Sequence, residues 1–190
     1  VAVIGAGPCG LTAAQDLVQA GYSVTIFEAM PVAGGMLRLG VPEFRLPSWI
    51  PDREVQDIID LGVELRLNTR VDNLDDLFDE GFEAVLISVG AHEGVKLPIE
   101  GADLDGVMVN THFLRDVRLD NPPDFAGKRV MVLGGGNVAI DVALTAKRKG
   151  AKNVTLICLE KREEMPAWEH EIEEALESEI NIVMNDQHVL

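Results

Sequence analysis

One plan is written twice in this sequence: a short apolar strand, a glycine-rich turn, a helix closed by glycine, and a second strand. That repetition constrains the fold more than any other feature. In the first copy residues 1–4 are apolar, GAGPCG at 5–10 is the turn, 11–20 reads as a helix ended by Gly21, and 23–27 is the returning strand. In the second copy 129–133 is the strand, GGGNVA at 134–139 the turn, 140–149 a helix ended by Gly150, and 153–158 the next strand. Parallel strands joined through a helix cross over with one hand and need cover on their faces. The chain is therefore expected to be α/β, with two doubly wound layers.

The stretch between the copies reads as a proline-rich loop at 42–51 and a helix at 52–61 whose Val55, Ile58 and Ile59 share a side. Strands are expected at 63–67 and 84–89, with a short acidic helix at 74–80. Asn121-Pro122-Pro123, inside 120–127, marks the expected domain boundary. From Glu163 onward Met165, Trp168, Ile172 and Leu176 fall on one side of an amphipathic helix with glutamates opposite, the pattern of a solvated surface helix. Val1 already lies in a strand pattern and is not preceded by methionine, so the numbering reads as an excerpt of a longer chain.

Charge and composition remove several functions. With 32 acidic and 16 basic residues the formal charge is -16, which repels a phosphate backbone, so nucleic acid is not an expected partner. No apolar run approaches the ~20 residues that cross a bilayer, and no leader of the secretory kind is present; the chain reads as cytoplasmic with no membrane insertion. Cys9 and Cys158 are far apart, so the chain offers neither a disulfide framework, a metal cage nor an iron–sulfur cluster of its own. No metal ligand set is assigned.

Glycines at this spacing have a chemical use. A dinucleotide brings a charged pyrophosphate against backbone: Gly5 permits the turn, Gly7 the close approach, and Gly10 the packing of helix on strand. Pro8 suits the first helical turn, where its missing N–H has no partner to lose. The helix N-terminus then directs N–H groups and partial positive charge at the phosphates. Cys9 within the turn reads as a small packing residue and not as a redox centre. Glu28, 18 residues after Gly10, ends the next strand, where a carboxylate accepts hydrogen bonds from ribose hydroxyls. The alternative is that the glycines form only a tight strand-to-helix turn.

GAGPCG, the run IFEAMPVAGGMLRLGVPEFRLP at 26–47, DREV at 52–55, LISVGA at 86–91, GGGNVAID at 134–141 and EEMPAW at 163–168 together cover nearly the whole chain. As a set they resemble the small subunit of glutamate synthase and its relatives, which include the flavin domain of dihydropyrimidine dehydrogenase and subunits of electron-bifurcating transhydrogenases. The resemblance implies two Rossmann-like units, FAD-binding then NAD(P)-binding, at residues 1–125 and 126–190. It implies that Gly5, Gly7 and Gly10, with Pro8 and Cys9 between them, hold the FAD pyrophosphate and Glu28 the ribose. Gly35 and Met36 would lie near the flavin, Arg45 would be a further polar contact, Val71 would use its backbone near the adenine, and Gly90 of LISVGA belongs to the same set. Read from the residues alone, Arg45 is instead a surface ion pair with one of many acidic neighbours. The family closes its FAD site with a later Gly-Asp segment that these 190 residues do not contain, so the first domain is expected to lack its return segment and the second to be incomplete.

The second turn, Gly134-Gly135-Gly136-Asn137-Val138-Ala139, has the form in which alanine replaces the last glycine. In the family this site binds NADPH, so Gly134, Gly135, Gly136, Asn137 and Val138 are carried over as nicotinamide-nucleotide contacts. NADPH-using relatives commonly carry tyrosine and two arginines after the following strand. This chain has Cys158, Leu159 and Glu160 there. A glutamate repels a 2′-phosphate and accepts a hydrogen bond from a 2′-hydroxyl, which favours NADH; Lys161 and Arg162 follow directly and oppose that preference. Glu160 as a solvated loop residue is the alternative.

Two such sites imply one nucleotide donating electrons and one receiving them. Hydride transfer is carried by the cofactors, so no catalytic side chain is required. No HExxH, GxSxG or CxxC occurs, and His92, His112, His170 and His188 receive no role, with His170 expected to be exposed. The expected function is an NAD(P)H-oxidising flavoprotein passing electrons to a larger catalytic or iron–sulfur subunit or domain. A passive nucleotide-binding module and a flavin-free NAD-dependent dehydrogenase are the competing readings.

Overall fold

The computed structural model of the chain describes residues 1–184; His188 lies outside them. It divides into two compact units, the first Val1–Glu93 and the second beginning at Gly94.

In the first unit the strands β1 (Ala2–Ile4), β2 (Thr25–Phe27), β3 (Glu64–Arg66) and β4 (Val85–Ile87) form one parallel sheet in the order β3-β2-β1-β4. The register sets Val3 beside Ile26 and Leu86, so alternate side chains sort to opposite faces. On one face Val3, Ala6, Ile26 and Val63 pack with Leu11 and Ala14 of α1 (Pro8–Gln19) and Val55 of α3 (Trp49–Ile59), α2 being the short helix Gly35–Leu39. On the other, Ala2, Ile4 and Phe27 pack with Leu77 of α4 (Leu74–Asp79), and the Phe27 and Phe82 rings meet edge to face at 5.5 Å. Burial of each such aliphatic side chain contributes about 1.5–3 kcal/mol. Both faces are covered, as parallel sheets require.

Helix α3 starts at Trp49, earlier than the proline-rich reading of 42–51 implies, because Pro51 sits in its first turn, where no N–H is missed. Helix α2 has no sequence signal of its own; glycines in the left-handed region at its start, Gly34 (φ 107°) and Gly35 (φ 55°), conceal it.

The second unit carries β5 (Arg129–Leu133), β6 (Asn153–Ile157) and β7 (Asn181–Val183), parallel and in the order β5-β6-β7. Val132, Val154, Leu156 and Ile182 are buried with the apolar stripe of α6 (Asn137–Arg148) and with Ile172 and Ala175 of α7 (Glu169–Glu177). Met131 and Leu133, on the alternate positions of β5, are exposed.

Helix α5 (Asn110–Arg118) belongs to this unit. Its Phe113 ring packs edge to face on Phe125 at 5.5 Å. Helix α5 also packs on α6, so the division between Glu93 and Gly94 lies ahead of the expected one at 125/126, with the proline stretch 121–123 inside the second unit. The amphipathic run after Glu163 is also broken. Arg162–Glu164 is a 3-10 turn, Pro166 stops it, and α7 begins only at Glu169. Trp168 is thereby left exposed just before the helix, while Met165 and Ile172 are buried. No helix among the described residues is long and apolar enough to cross a membrane.

Candidate nucleotide-binding sites

The two glycine turns correspond bond for bond. Gly5 N–H donates to the Phe27 carbonyl (2.8 Å) and Gly134 N–H to that of Ile157 (2.9 Å). One residue later in the strand, Glu28 N–H donates to Arg66 (2.9 Å) and Cys158 N–H to Val183 (3.1 Å). In each unit a later loop closes back on the turn's second residue: Gly34 N–H on the Ala6 carbonyl (2.7 Å), Ala167 N–H on that of Gly135 (3.1 Å). Gly7 thus corresponds to Gly136, Gly10 to Ala139, and Glu28 to Cys158; Glu160 stands two residues beyond the Glu28 position.

Gly7 and Gly136 are the N-caps of α1 and α6, in extended conformation with no side-chain capping bond and no acid in the first turn. Helices α4 and α7, by contrast, carry acids there: Asp75 and Asp76, Glu169 and Glu171. The two turn helices therefore start with backbone N–H groups that no side chain of their own first turn caps, the arrangement that suits a phosphate. A Cβ at Gly136 would meet nothing within 4 Å, and one at Gly7 only the Gly35 Cα at 3.8 Å. Backbone is open to a ligand at both, and the residues present fit a dinucleotide pyrophosphate.

The glycines of the first turn answer a steric demand. Gly5 (φ 102°) abuts the Ser88 carbonyl oxygen, which a Cβ would approach to 2.5 Å, and a Cβ at Gly10 would strike the Gly5 oxygen and lie 2.6 Å from Ser88 Oγ. Ser88 Oγ donates to the Ile4 and Gly5 carbonyls at 2.9 and 3.1 Å. This residue has a clear structural part in the turn that sequence reasoning missed; its signal is a small polar residue directly after the strand that neighbours β1.

Glu28 is buried, and each carboxylate oxygen accepts one backbone N–H: Oε2 from Ala6 (2.7 Å), Oε1 from Met30 (2.8 Å). A carboxylate has about four acceptor positions, so capacity remains for a hydroxyl. The loop holding Val71 is fastened to this corner, Thr69 N–H donating to the Glu28 carbonyl (2.8 Å) and Asn68 N–H to that of Met30 (3.1 Å). Gly35 stands against the turn; a Cβ on it would come within 2.7 Å of the Gly7 Cα, and Met36 follows in α2. Gly90 (φ 64°) lies beyond Ser88 in the segment after β4. Arg45 lies in a turn closed on the Pro42 carbonyl, its guanidinium 5.3 Å from the centre of the Phe44 ring. Pro8 occupies the first position of α1. Cys9 is exposed, which corrects its reading as a packing residue: the buried stripe of α1 runs through Gly10, Leu11 and Ala14, and position 9 lies off it.

At the second turn the surroundings are side chains. A Cβ on Gly135 would lie 2.9 Å from both the Cys158 Cβ and Glu160 Oε2, so the Glu160 carboxylate stands beside the turn. Asn137 Nδ2 donates to Glu171 Oε2 at 2.6 Å, tying α6 to α7, and Val138 is exposed. No group of three or more potential metal ligands occurs among the described residues.

Paired parallel sheets with glycine turns at helix N-termini define the α/β dinucleotide-binding class of oxidoreductases. The chain matches the pyridine nucleotide-disulphide oxidoreductase family over residues 1–187 and belongs to it. The family binds FAD and NAD(P). Despite that name, Cys9 and Cys158 are both free thiols in separate units. The chain is 48% identical over 179 residues to the NADP(+)-dependent formate dehydrogenase subunit beta of Moorella thermoacetica, covering 92% of this chain and 25% of that protein. It is 35% identical to the glutamate synthase [NADPH] small chain of Escherichia coli K12, covering 98% and 42%. To the NAD-dependent dihydropyrimidine dehydrogenase subunit PreT of the same strain it is 39% identical, covering 96% and 44%. The chain thus spans from a quarter to less than half the length of these relatives.

Proposed function

We propose that this chain is the nucleotide-binding part of a flavoprotein oxidoreductase in which the first unit holds FAD, the second holds NADH in preference to NADPH, and electrons leave for a larger catalytic or iron–sulfur partner. The observation that carries the reading is the doubled turn: one hydrogen-bond pattern built twice, each time at the N-terminus of a helix with no acid in its own first turn. Membership of a family that binds both nucleotides supports it, and the matched relatives are named as subunits or a small chain.

Bound FAD and nicotinamide supply the hydride chemistry, and the protein supplies position and surroundings. Gly5, Gly7, Pro8, Cys9 and Gly10 are proposed to seat the FAD pyrophosphate, Glu28 to accept from its ribose, and Val71 to border the adenine. Gly35, Met36, Arg45 and Gly90 are assigned to the flavin side. Gly134, Gly135, Gly136, Asn137 and Val138 are assigned to the nicotinamide nucleotide. No side chain is asked to move a proton.

The relatives are named for NADP(+), NADPH and NAD alike, so the choice rests on residues at the turn. Glu160 favours NADH, because its carboxylate stands beside Gly135, where a 2′-phosphate would meet like charge. The test is an anaerobic absorbance spectrum of the full-length protein, with NADH and then NADPH added. Faster bleaching of the flavin band by NADH is expected. Bleaching by NADPH alone would overturn the preference, a flavin that stays oxidised with both would leave a passive binding module, and a protein that takes up no flavin would overturn the FAD assignment.

A further inference from the structure

The segment after β6, residues 158–168, runs beside the second turn: the Glu160 carboxylate stands next to Gly135, and Ala167 N–H fastens the segment to the Gly135 carbonyl at 3.1 Å. A ribose seated on the turn would face this segment. Its cations are Lys161 and Arg162. Lys161 is exposed on the stretch leading into the 3-10 turn. Arg162 is held. Its Nη1 donates to Glu169 Oε2 at 2.9 Å and its Nη2 to Glu169 Oε1, a two-pronged pair that fixes the guanidinium plane.

We propose that Glu169 is a specificity-determining residue for the second turn, acting through Arg162: it occupies the guanidinium that would otherwise serve a nucleotide 2′-phosphate. This rests on the reading of that turn as a nicotinamide-nucleotide site. Two features make Glu169 a firm anchor. It is the first residue of α7, where the helix dipole favours a carboxylate. The helix itself is tied to the turn helix α6 by the Asn137–Glu171 hydrogen bond of 2.6 Å, so the position of Glu169 relative to the turn is set by more than its own ion pair.

The consequence is a selectivity made of two carboxylates with different actions. Glu160 repels a 2′-phosphate directly. Glu169 acts at one remove and is a positioning residue: a 2′-phosphate must break a bidentate pair to recruit Arg162, whereas a 2′-hydroxyl asks nothing of it. Glu169 is exposed, so its replacement leaves the core untouched.

The test is calorimetric titration of the full-length protein and its variants with NAD+ and with NADP+, folding being checked by circular dichroism. E169Q is expected to tighten NADP+ about three- to fivefold while leaving NAD+ within about 1.5-fold, the scale of one released charge pair. The gain should fall as salt is raised. R162Q/E169Q is expected to lose the gain, and E169D, which restores the carboxylate, to reverse most of it. Equal changes for both nucleotides, or a gain that survives removal of Arg162, would overturn the proposal by showing a general charge or structural effect. If the wild-type protein binds both nucleotides and E169Q leaves their ratio unmoved, this inference fails and the site reading stands. Binding of neither nucleotide overturns both together.

Discussion

At the first turn the loop that closes back on the helix arrives as bare backbone, Gly34 and Gly35; at the second it arrives as Ala167 and Trp168. The same contrast runs through the corner after each middle strand. In the first unit the corner residue is Glu28, buried, its carboxylate bonded by two backbone N–H groups of the surrounding chain. In the second it is Cys158, also buried, and the acid has moved two residues outward to Glu160. One backbone scaffold is thus used in two ways. The first turn is interlocked with its own unit, so its residues hold the fold as well as any ligand. The second is bordered by charged side chains on loops and helix ends, so its residues are free to discriminate between ligands.

Substitutions at corresponding positions can break that contrast. The largest effect is expected from E28A, which leaves the buried N–H groups of Ala6 and Met30 without an acceptor and costs about 3 kcal/mol, whereas C158A at the corresponding position costs about 1 kcal/mol. Urea unfolding followed by tryptophan fluorescence measures both, since Trp49 reports the first unit and Trp168 the second. Equal costs would show that the corners are equivalent and the contrast false.

Next is G10A, whose Cβ must displace the fixed Gly5 carbonyl or the Ser88 hydroxyl; a loss of about 2 kcal/mol is expected. The second turn already carries Ala139 at that place, and A139G is expected to cost no more than about 1 kcal/mol, the helix-propensity difference. A neutral G10A, read as an unchanged unfolding midpoint, would mean the first turn is looser than its packing indicates.

E160Q should leave stability within about 0.5 kcal/mol and still narrow the proposed NADH preference about tenfold, equivalent to about 1.4 kcal/mol, in flavin-reduction rates with the two nucleotides. An unchanged ratio would return Glu160 to the status of a solvated loop residue.

The smallest effect belongs to the edge of the first sheet. Hydrogen bonds from Arg66 and Thr25 hold the Glu64 carboxyl below the usual carboxylate range. Its contribution is therefore present above the ordinary carboxylate pKa and lost as pH falls through the lowered one. E64Q is expected to shallow the acid-side decline of stability as pH falls below the ordinary carboxylate pKa, measured by urea midpoints, without altering the decline contributed by the second unit.

Much of this architecture was legible in the sequence. The double glycine plan located β1, β2, β5 and β6 and both turn helices within a residue or a few, because alternating burial and glycine stops are written locally. Helix α5 and the position of the boundary were not legible. The prolines at 122 and 123 look like a linker, and only the packing of α5 on α6 makes them an internal loop. Ser88 and Glu171 were missed for a similar reason: each bonds to a turn or its helix from a distant strand or helix, which sequence spacing does not encode.

By itself, then, the sequence determined the α/β class, the two glycine turns and the positions of the acids Glu28 and Glu160, since each depends on what a residue type permits at a short range: backbone without a Cβ, a strand end, a helix start. The tertiary structure alone decided which groups those residues meet. It buried Glu28 against two backbone donors, exposed Cys9, set Glu160 beside Gly135 and engaged Arg162 with Glu169, because hydrogen bonds and close packing join atoms by distance in space and not by order along the chain.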